Sequence, residues 1–124
     1  MTDILKLTTY FAERERAALA SIYVALMVDE LIGLLGPSRN IIVDGPLASN
    51  PLFPGLLKAL RPEAVVALST LVSGAAAGAL ALVLGDATPA RAEANYTVGK
   101  VRIAGLAAYR DAWRKLVTEH AEAA

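Results

Sequence analysis

The chain has 124 residues, of which 56% are hydrophobic, and this is enough for one domain with a sizeable core. Twelve basic and twelve acidic residues cancel, and they form no basic stripe, which argues against nucleic-acid binding. There is no cysteine for disulfides or thiolate chemistry, and the single histidine, His120, argues against a zinc site or a Ser-His-Asp triad.

The N-terminal segment lacks the pattern of a secretory signal. Asp3 is acidic, and no long apolar core leads to a small-residue cleavage site. We therefore expect a cytoplasmic protein.

The first element in chain order is a long helix from about Ala12 to Leu35. Its apolar residues recur at spacings of three, four and one, which is typical of an amphipathic helix. Gly36 and Pro37 end it, because glycine adopts a left-handed conformation and proline cannot continue a helix. Further branched residues widen the apolar surface, so we expect the second half of the helix to be covered on more than one side. The apolar positions are Leu19, Ile22, Tyr23, Leu26, Leu31, Leu34 and Leu35, and the widening ones are Val24, Val28 and Ile32.

Two adjacent carboxylates, Asp29 and Glu30, lie in this helix. Neighbouring side chains diverge by about 100° on a helix, so they do not face each other. The pattern favours a solvated face over a shared carboxylate site.

A strand, a loop and a helix N-terminus follow one another between residues 40 and 60. The run from Asn40 to Val43 is β-branched and too short for a helix, which predicts a buried strand. Asp44-Gly45-Pro46 forms the turn. Asn50 and Pro51 form an N-cap pair, because the Asn oxygen can accept from an orphan amide and Pro lacks an amide that would be orphaned anyway. The predicted helix runs from Pro51 to about Leu60.

This junction is the candidate ligand site. It directs unpaired N–H groups and the positive end of a helix dipole at one spot, which suits a phosphate, a ribose or another anion. Asp44 is a candidate general base or metal ligand, with capping of the turn as the alternative. Asn50 is a candidate ligand contact, with capping of its helix as the alternative.

The run from Ala64 to Leu84 carries no charge and is long enough to span a bilayer, and Gly74 and Gly78 have the spacing of packed membrane helices. Its polar and glycine residues instead divide it into a strand, 64–68, a polar turn and a helix from about Ser73. We favour this division and expect no membrane contact. Close packing is the first explanation of the two glycines, and access for a flat ligand is the second.

The alternation of helix, strand, helix, strand, helix is that of an α/β unit with two parallel strands. Both strands are continuously apolar, which predicts a sheet covered on both faces. Residues 85–102 read as a linker that includes an ambiguous piece, Tyr96 to Arg102, and residues 103–120 read as an amphipathic tail helix. Its predicted apolar face consists of Leu106, Tyr109, Trp113, Leu116 and Val117.

Three stretches resemble the C-terminal part of the FGGY carbohydrate kinases. RAALASIYVALMVDEL, from Arg16, resembles the long helix before the family's adenosine motif. IIVDGPLASNPLF, from Ile41, resembles the adenosine loop, and SGAAAGALALVL, from Ser73, resembles the final Gly-x-x-x-Gly-Ala-Ala helix. The resemblance covers residues 12–84 and implies a single partial ribonuclease-H-like (actin-like ATPase) domain.

The resemblance also implies a nucleotide site and its ligand, ATP with Mg²⁺. Gly45 corresponds to the first loop glycine, whose missing side chain lets a nucleotide approach the backbone. Asn50 corresponds to a polar residue that reaches the adenine edge in some members, in competition with its capping role. Asp44 precedes this glycine, and Pro46 departs from the usual second glycine and removes an amide donor.

The regions that hold the phosphate-binding hairpin, the catalytic Asp and the sugar site in such kinases have no counterpart in this sequence. We therefore expect the nucleotide-binding, adenosine-side portion of an ATP-dependent carbohydrate kinase, inactive by itself and binding nucleotide weakly. The alternative is a non-catalytic α/β oligomerisation or interaction module.

The missing strands would leave one edge of the strand at Ile41 to Val43 unpaired, and an open apolar edge invites pairing. Candidates to cover it are Asp3 to Tyr10, Tyr96 to Ile103 or the same strand of a second copy of the chain. The partners we expect are nucleotide, bound weakly, and either the missing kinase half or a second copy. Of these we favour a homodimer.

Overall fold

Two parallel strands and a short antiparallel one form a mixed sheet with helices packed against it. The computed structural model describes residues 12–36, 39–69, 74–85 and 96–123. The elements in this part of the chain are α1 (Glu13–Leu35), β1 (Asn40–Val43), α2 (Phe53–Leu60), β2 (Val65–Leu68), α3 (Gly74–Leu84), β3 (Tyr96–Thr97) and α4 (Leu106–Glu122). The predicted α/β alternation and its four main helices are confirmed.

The sheet has the order β1-β2-β3. β1 and β2 pair in parallel from Asn40 opposite Val65 to Val43 opposite Leu68, as predicted. β3 pairs antiparallel with β2, so the expectation that Tyr96 to Ile103 could cover the open edge of β1 is wrong. The Val98 amide donates to the Val66 carbonyl at 2.8 Å, which holds this segment on the far side of β2. The other candidate strand, Asp3 to Tyr10, lies outside the described residues.

One face of the sheet packs against α1 and α2 and forms the core. α2 is covered on nearly all sides: six of its eight residues are buried, and its apolar side chains share the core cluster with Val43 and Val66 of the strands. The core cluster is Ala25, Leu26, Val43, Phe53, Leu56, Leu57, Leu60, Val66 and Leu106.

The opposite face of the sheet is largely open in the described part of the chain. Ile42 is 61% exposed, Val65 is also exposed, and α3 buries none of its residues. The expectation of a sheet covered on both faces is therefore wrong. In strands of four residues, side chains alternate between the faces, and only the face toward α1 and α2 receives a packed layer.

α1 is covered along one side only. Its buried residues are Ser21, Ala25, Leu26 and Asp29, which recur at helical spacing. Leu31 and its neighbours in the last turn are exposed, so the expectation of cover on more than one side is wrong. Val24, Val28 and Ile32 pack against the core. No described residue covers the opposite side of α1.

α1 is the one described helix that is long and apolar enough to cross a membrane by length and composition. The run that raised this question in the sequence, Ala64 to Leu84, instead contains β2 and the shorter helix α3, as we favoured.

α4 docks on the core through the N-terminal part of its predicted apolar face. Leu106 is buried and Trp113 packs against the core cluster. Tyr109, Leu116 and Val117 are about half exposed, so the predicted face is correct only in part.

α1, the end of α2 and α4 are joined by a buried ion-pair cluster that the sequence did not predict. Asp29 is 2% exposed and lies against three arginines. Its Oδ1 is 2.7 Å from Arg61 Nε, and its Oδ2 is 3.1 Å from Arg114 Nη2 and 3.8 Å from Arg110 Nη1. Arg114 also pairs with Glu30. The expectation of a solvated face without a shared partner is wrong, because Asp29 follows Leu26 by three residues and so faces the core.

Backbone carbonyls complete the cluster. Arg61 Nη2 donates to the Asp29 carbonyl at 2.7 Å, and Arg110 Nη1 donates to the Leu60 carbonyl at 2.9 Å. The hydrogen bond with Glu30 is the largest cause of a raised pKa for Arg114, with Asp29 adding to it and burial opposing it. Arg114 therefore stays charged and holds α4 against α1.

We expect Asp29→Ala to be strongly destabilising. It leaves three partly buried guanidinium groups without their common carboxylate, and breaking a buried ion pair in this way costs about 3–5 kcal/mol. Urea unfolding gives the free energy change. Glu30→Ala is the matched control, because Glu30 pairs with the partly exposed Arg114 only, which is worth about 0–1 kcal/mol. Equal losses in the two variants would contradict a central role for Asp29.

Candidate functional site

A groove of about 500 Å³ lies between the N-terminal half of α1 and the loop that leads into α2. One wall comes from the alanine-rich turns of α1 and the other from the loop, so the lining is mostly apolar. Arg14 is the one cationic side chain among the lining residues. The lining consists of Arg14, Ala17, Ala18, Ala20, Ser21, Val24, Leu47, Asn50, Pro51, Leu52 and Phe53.

Asn50 lies in the loop wall of the groove and caps the start of α2. Its Oδ1 accepts from the amides of Leu52 at 2.9 Å and Phe53 at 2.8 Å. The predicted capping bond is thus present, although the helix itself begins at Phe53 rather than Pro51. Pro51 lies before the first turn, and the early helical proline is Pro54.

The other end of the Asn50 amide is held by α1. Asn50 Nδ2 donates to Ser21 Oγ at 3.3 Å, and the Ser21 hydroxyl donates to the Ala17 carbonyl at 2.9 Å. Because the Ser21 hydrogen is already used, its oxygen is left as an acceptor, which fixes the orientation of the Asn50 amide. Sequence reasoning missed Ser21; its signal was a small polar residue on the core side of α1, one turn before Ala25.

Asp44 caps the start of α3 rather than its own turn. The Gly74 amide at the start of α3 donates to Asp44 Oδ2 at 2.8 Å, and Asp44 makes no side-chain bond to its own turn. The alternative that Asp44 caps its own turn is therefore wrong, because its carboxylate accepts from the first amide of α3 instead. A β-carbon on Gly74 would lie 2.3 Å from Asp44 Oδ2, so only glycine allows this approach.

Gly45 and Pro46 begin a 3₁₀ turn, Gly45–Ser49, directly after β1. Gly45 has a φ of 71°, a left-handed conformation that favours glycine. Asp44, Gly45 and Pro46 are not among the residues that line the groove, whereas Asn50 is. The structure therefore separates the four predicted site residues into a strand-end group and a groove residue.

The other glycine of α3 has no such contact. Among the described residues, nothing lies within 4 Å of a β-carbon placed on Gly78, so close packing explains Gly74 but not Gly78. A further close approach was missed in the sequence: Val101 Cγ2 would lie 2.3 Å from a β-carbon on Gly55, and the Val101 amide donates to the Gly55 carbonyl at 3.1 Å.

The loop, the parallel strand pair and the glycine-started helix form a small α/β unit. The model of the carbohydrate kinase FGGY C-terminal domain matches residues 6–93. The chain belongs to this family, and the resemblance drawn from the three sequence stretches is confirmed. β3 and α4 lie beyond the matched residues. Comparisons with curated proteins and with solved structures gave no match.

We expect Gly74→Ala to destabilise the protein by about 0.5–2 kcal/mol, because the new methyl group displaces the exposed Asp44 carboxylate and removes its capping bond to the α3 amide. Thermal unfolding measures the loss. Gly78→Ala in the same helix meets open space and should stabilise by up to about 1 kcal/mol through helix propensity. A Gly74→Ala variant as stable as Gly78→Ala would show that the Asp44 contact does not form.

Proposed function

We propose that this domain is the adenosine-side portion of an ATP-dependent carbohydrate kinase that phosphorylates a sugar or polyol hydroxyl when complete. The observation that carries the proposal is the position of Asn50, whose fixed amide lines the apolar groove between α1 and the loop. Family membership supports the kinase class, and the groove supplies a place for the base.

A count of hydrogen bonds defines what Asn50 offers. An Asn side chain has two acceptor positions and two donor hydrogens. In the described part of the chain, Leu52 and Phe53 occupy both acceptor positions and Ser21 takes one hydrogen. One N–H donor remains. It suits a ring nitrogen with a lone pair, as adenine has along its edges.

The groove matches the rest of an adenosine in size and polarity. Small-molecule sites have volumes of about 300–1,000 Å³ and mainly apolar walls with a few placed polar groups. The groove between α1 and the loop has this volume and composition, with Asn50 as the placed amide and Arg14 at the α1 end. A planar base packed against its alanine and leucine walls would be removed from water at little desolvation cost.

We further propose that the nucleotide comes closest to the protein backbone at the strand-end group, which consists of Asp44, Gly45 and Pro46. Gly45 has no side chain and a left-handed backbone, and Pro46 contributes no N–H, so fewer amides face a phosphate here than in a loop with two glycines. Asp44 is held by the α3 amide. We expect weak binding, because the described residues offer little to offset the ordering of a flexible triphosphate.

Magnesium, when bound with ATP, neutralises phosphate charge. The described residues contain no group of three or more His, Asp or Glu side chains suited to holding the ion, and no step of the proposal passes through it.

The proposed architecture is a partial ribonuclease-H-like domain of the actin-like ATPase type, in a cytoplasmic protein. The parallel pairing of β1 with β2 and the helices between them support it. Its partners would be nucleotide and either the other half of a kinase or a second copy of the chain.

A second candidate is a non-catalytic interaction module. Two observations favour it: Pro46 withdraws an amide from the nucleotide loop, and both α1 and α3 expose large apolar side chains. The two candidates differ in whether the groove binds a nucleotide, and this can be measured directly.

We expect ADP to bind at millimolar concentration, with amide chemical shift changes centred on Gly45 and Asn50. Asn50→Asp keeps the acceptor oxygen for the helix start but removes both side-chain donors, the free one and the one to Ser21. Binding should therefore weaken about three- to tenfold, and the loss of the Ser21 bond should lower stability by about 0.5–1.5 kcal/mol. NMR titration measures the affinity of each variant, and thermal unfolding measures its stability. Asn40→Asp, which adds the same charge at the start of β1, is the control. Shifts clustered elsewhere, or unchanged affinity in Asn50→Asp, would contradict the site.

We also expect the purified chain to show no sugar-dependent ATP hydrolysis. Phosphoryl transfer depends on positioning and on electrostatic stabilisation of the phosphoryl group, and the sequence has no counterpart of the hairpin and carboxylate that provide them in these kinases. A coupled assay over a panel of pentoses and hexoses tests this. Turnover that persists through further purification would place catalysis in this chain.

A further inference from the structure

We propose that α1 is a dimerisation helix that packs antiparallel against α1 of a second copy of this chain. The interface is the stripe of residues on α1 that faces away from the core, here called the outer stripe. Its members recur at spacings of three and four and are all exposed: Arg16, Ala20, Tyr23, Met27, Leu31 and Leu34, flanked by Leu19 and Leu35. Ala20 also lines the edge of the groove, so the proposed interface adjoins the groove.

The outer stripe is large enough for a stable contact. Leu34 is 84% exposed, Leu35 is 88% exposed, and Leu19, Tyr23, Met27 and Leu31 are each exposed by about two fifths or more. With side chains of this size, the six residues present on the order of 600–700 Å² per copy. A specific interface buries roughly 600–1,000 Å² per partner, so a contact that covered all of this surface would lie at the lower end of the standard range.

The stripe is complementary to itself when two copies run antiparallel. A two-fold axis near its middle places Tyr23 opposite the partner's Met27 and Ala20 opposite the partner's Leu31. Both pairings match: sulfur packs well against an aromatic ring, and a small side chain admits a large one. Every contact occurs twice, as a two-fold interface requires.

The charges favour the same arrangement. The stripe ends at Arg16 on one side and at the C-terminus of α1 on the other, and α1 has no basic residue in its last turn. Antiparallel packing brings Arg16 beside the partner's Leu34, at the negative end of the partner's helix dipole. Parallel packing would instead bring two arginines together at one end.

A second copy fits better than a lipid bilayer. α1 has the length and composition of a membrane helix, but its inner side holds Asp29 against three arginines. Spanning a bilayer would strip this carboxylate of its partners, at a high cost. The apolar surface is a stripe along one side of the helix, as an interface between helices needs.

Substitutions of Leu34 test both the surface and its direction. Leu34→Lys places a second cation beside the partner's Arg16 and should raise the dimer dissociation constant about tenfold or more. Leu34→Glu places an anion there and should weaken the dimer less than Leu34→Lys. The matched control is Leu82→Lys, because Leu82 on α3 is 88% exposed and lies outside the stripe. Sedimentation equilibrium gives the constants, and circular dichroism verifies folding.

Any of three outcomes would overturn the proposal. They are a monomeric mass for the parent chain at every concentration, loss of the dimer in Leu82→Lys or in Ile42→Lys but not in Leu34→Lys, and binding to phosphatidylcholine vesicles that Leu34→Lys abolishes while the chain stays monomeric in solution. The Ile42→Lys variant distinguishes a dimer formed through the outer stripe from a dimer formed through the open edge of β1.

The direction can be verified by cross-linking, since the chain has no cysteine of its own. Tyr23→Cys mixed with Met27→Cys should form a disulfide-linked dimer on oxidation more readily than either variant alone. Efficient linking of each variant to itself, and not to the other, would indicate parallel packing and overturn the antiparallel arrangement.

Discussion

The fold depends on one buried carboxylate. Asp29 binds Arg61, which follows α2, and Arg110 and Arg114 on α4, so a single residue of α1 connects three helices. β1 and β2 are only four residues long and β3 is two residues long, so the strands bring few hydrogen bonds to the domain. A charge removed from water is costly unless it is paired, so the arginines cannot leave without destabilising the core around it. The cluster also fixes the register of α4, which lies beyond the residues matched by the family model.

This cluster places the helix that forms one wall of the groove. Ser21 lies two helical turns before Asp29 on the same buried side of α1, and it accepts the hydrogen bond that orients Asn50. The ion pairs of Asp29 and the Ser21 contact two turns earlier therefore act on one rigid helix about 35 Å long. The side of α1 that carries neither contact is the outer stripe, and it is free to meet a second copy.

The elements, their order and the parallel pairing could be predicted from the sequence, because β-branched runs, turn residues and helical spacing are local signals. Burial could not. Asp29 next to Glu30 looks like a solvated pair until Arg110 and Arg114, more than eighty residues later, are brought to it. Likewise the apolar strands predict two covered faces, yet Ile42 is exposed because α3 does not pack over it. The sequence also could not predict that the Gly74 amide donates to Asp44, because Asp44 lies thirty residues earlier in the chain.

The two roles that the sequence set in competition at Asn50 use different atoms. Capping needs an acceptor, and Oδ1 supplies it to two amides at the start of α2. Contact with a base needs a donor, and Nδ2 retains one after Ser21 has taken the other. An aspartate here could cap the helix but could not donate a hydrogen bond. A serine, with a single hydroxyl, could not cap the helix, donate to Ser21 and keep a further donor at the same time. The proposed function therefore gives this asparagine two tasks, and the cap holds the remaining donor in place before any ligand arrives. Preorganisation of this kind lowers the entropy lost on binding, which matters most in a loop where Pro46 has already withdrawn an amide.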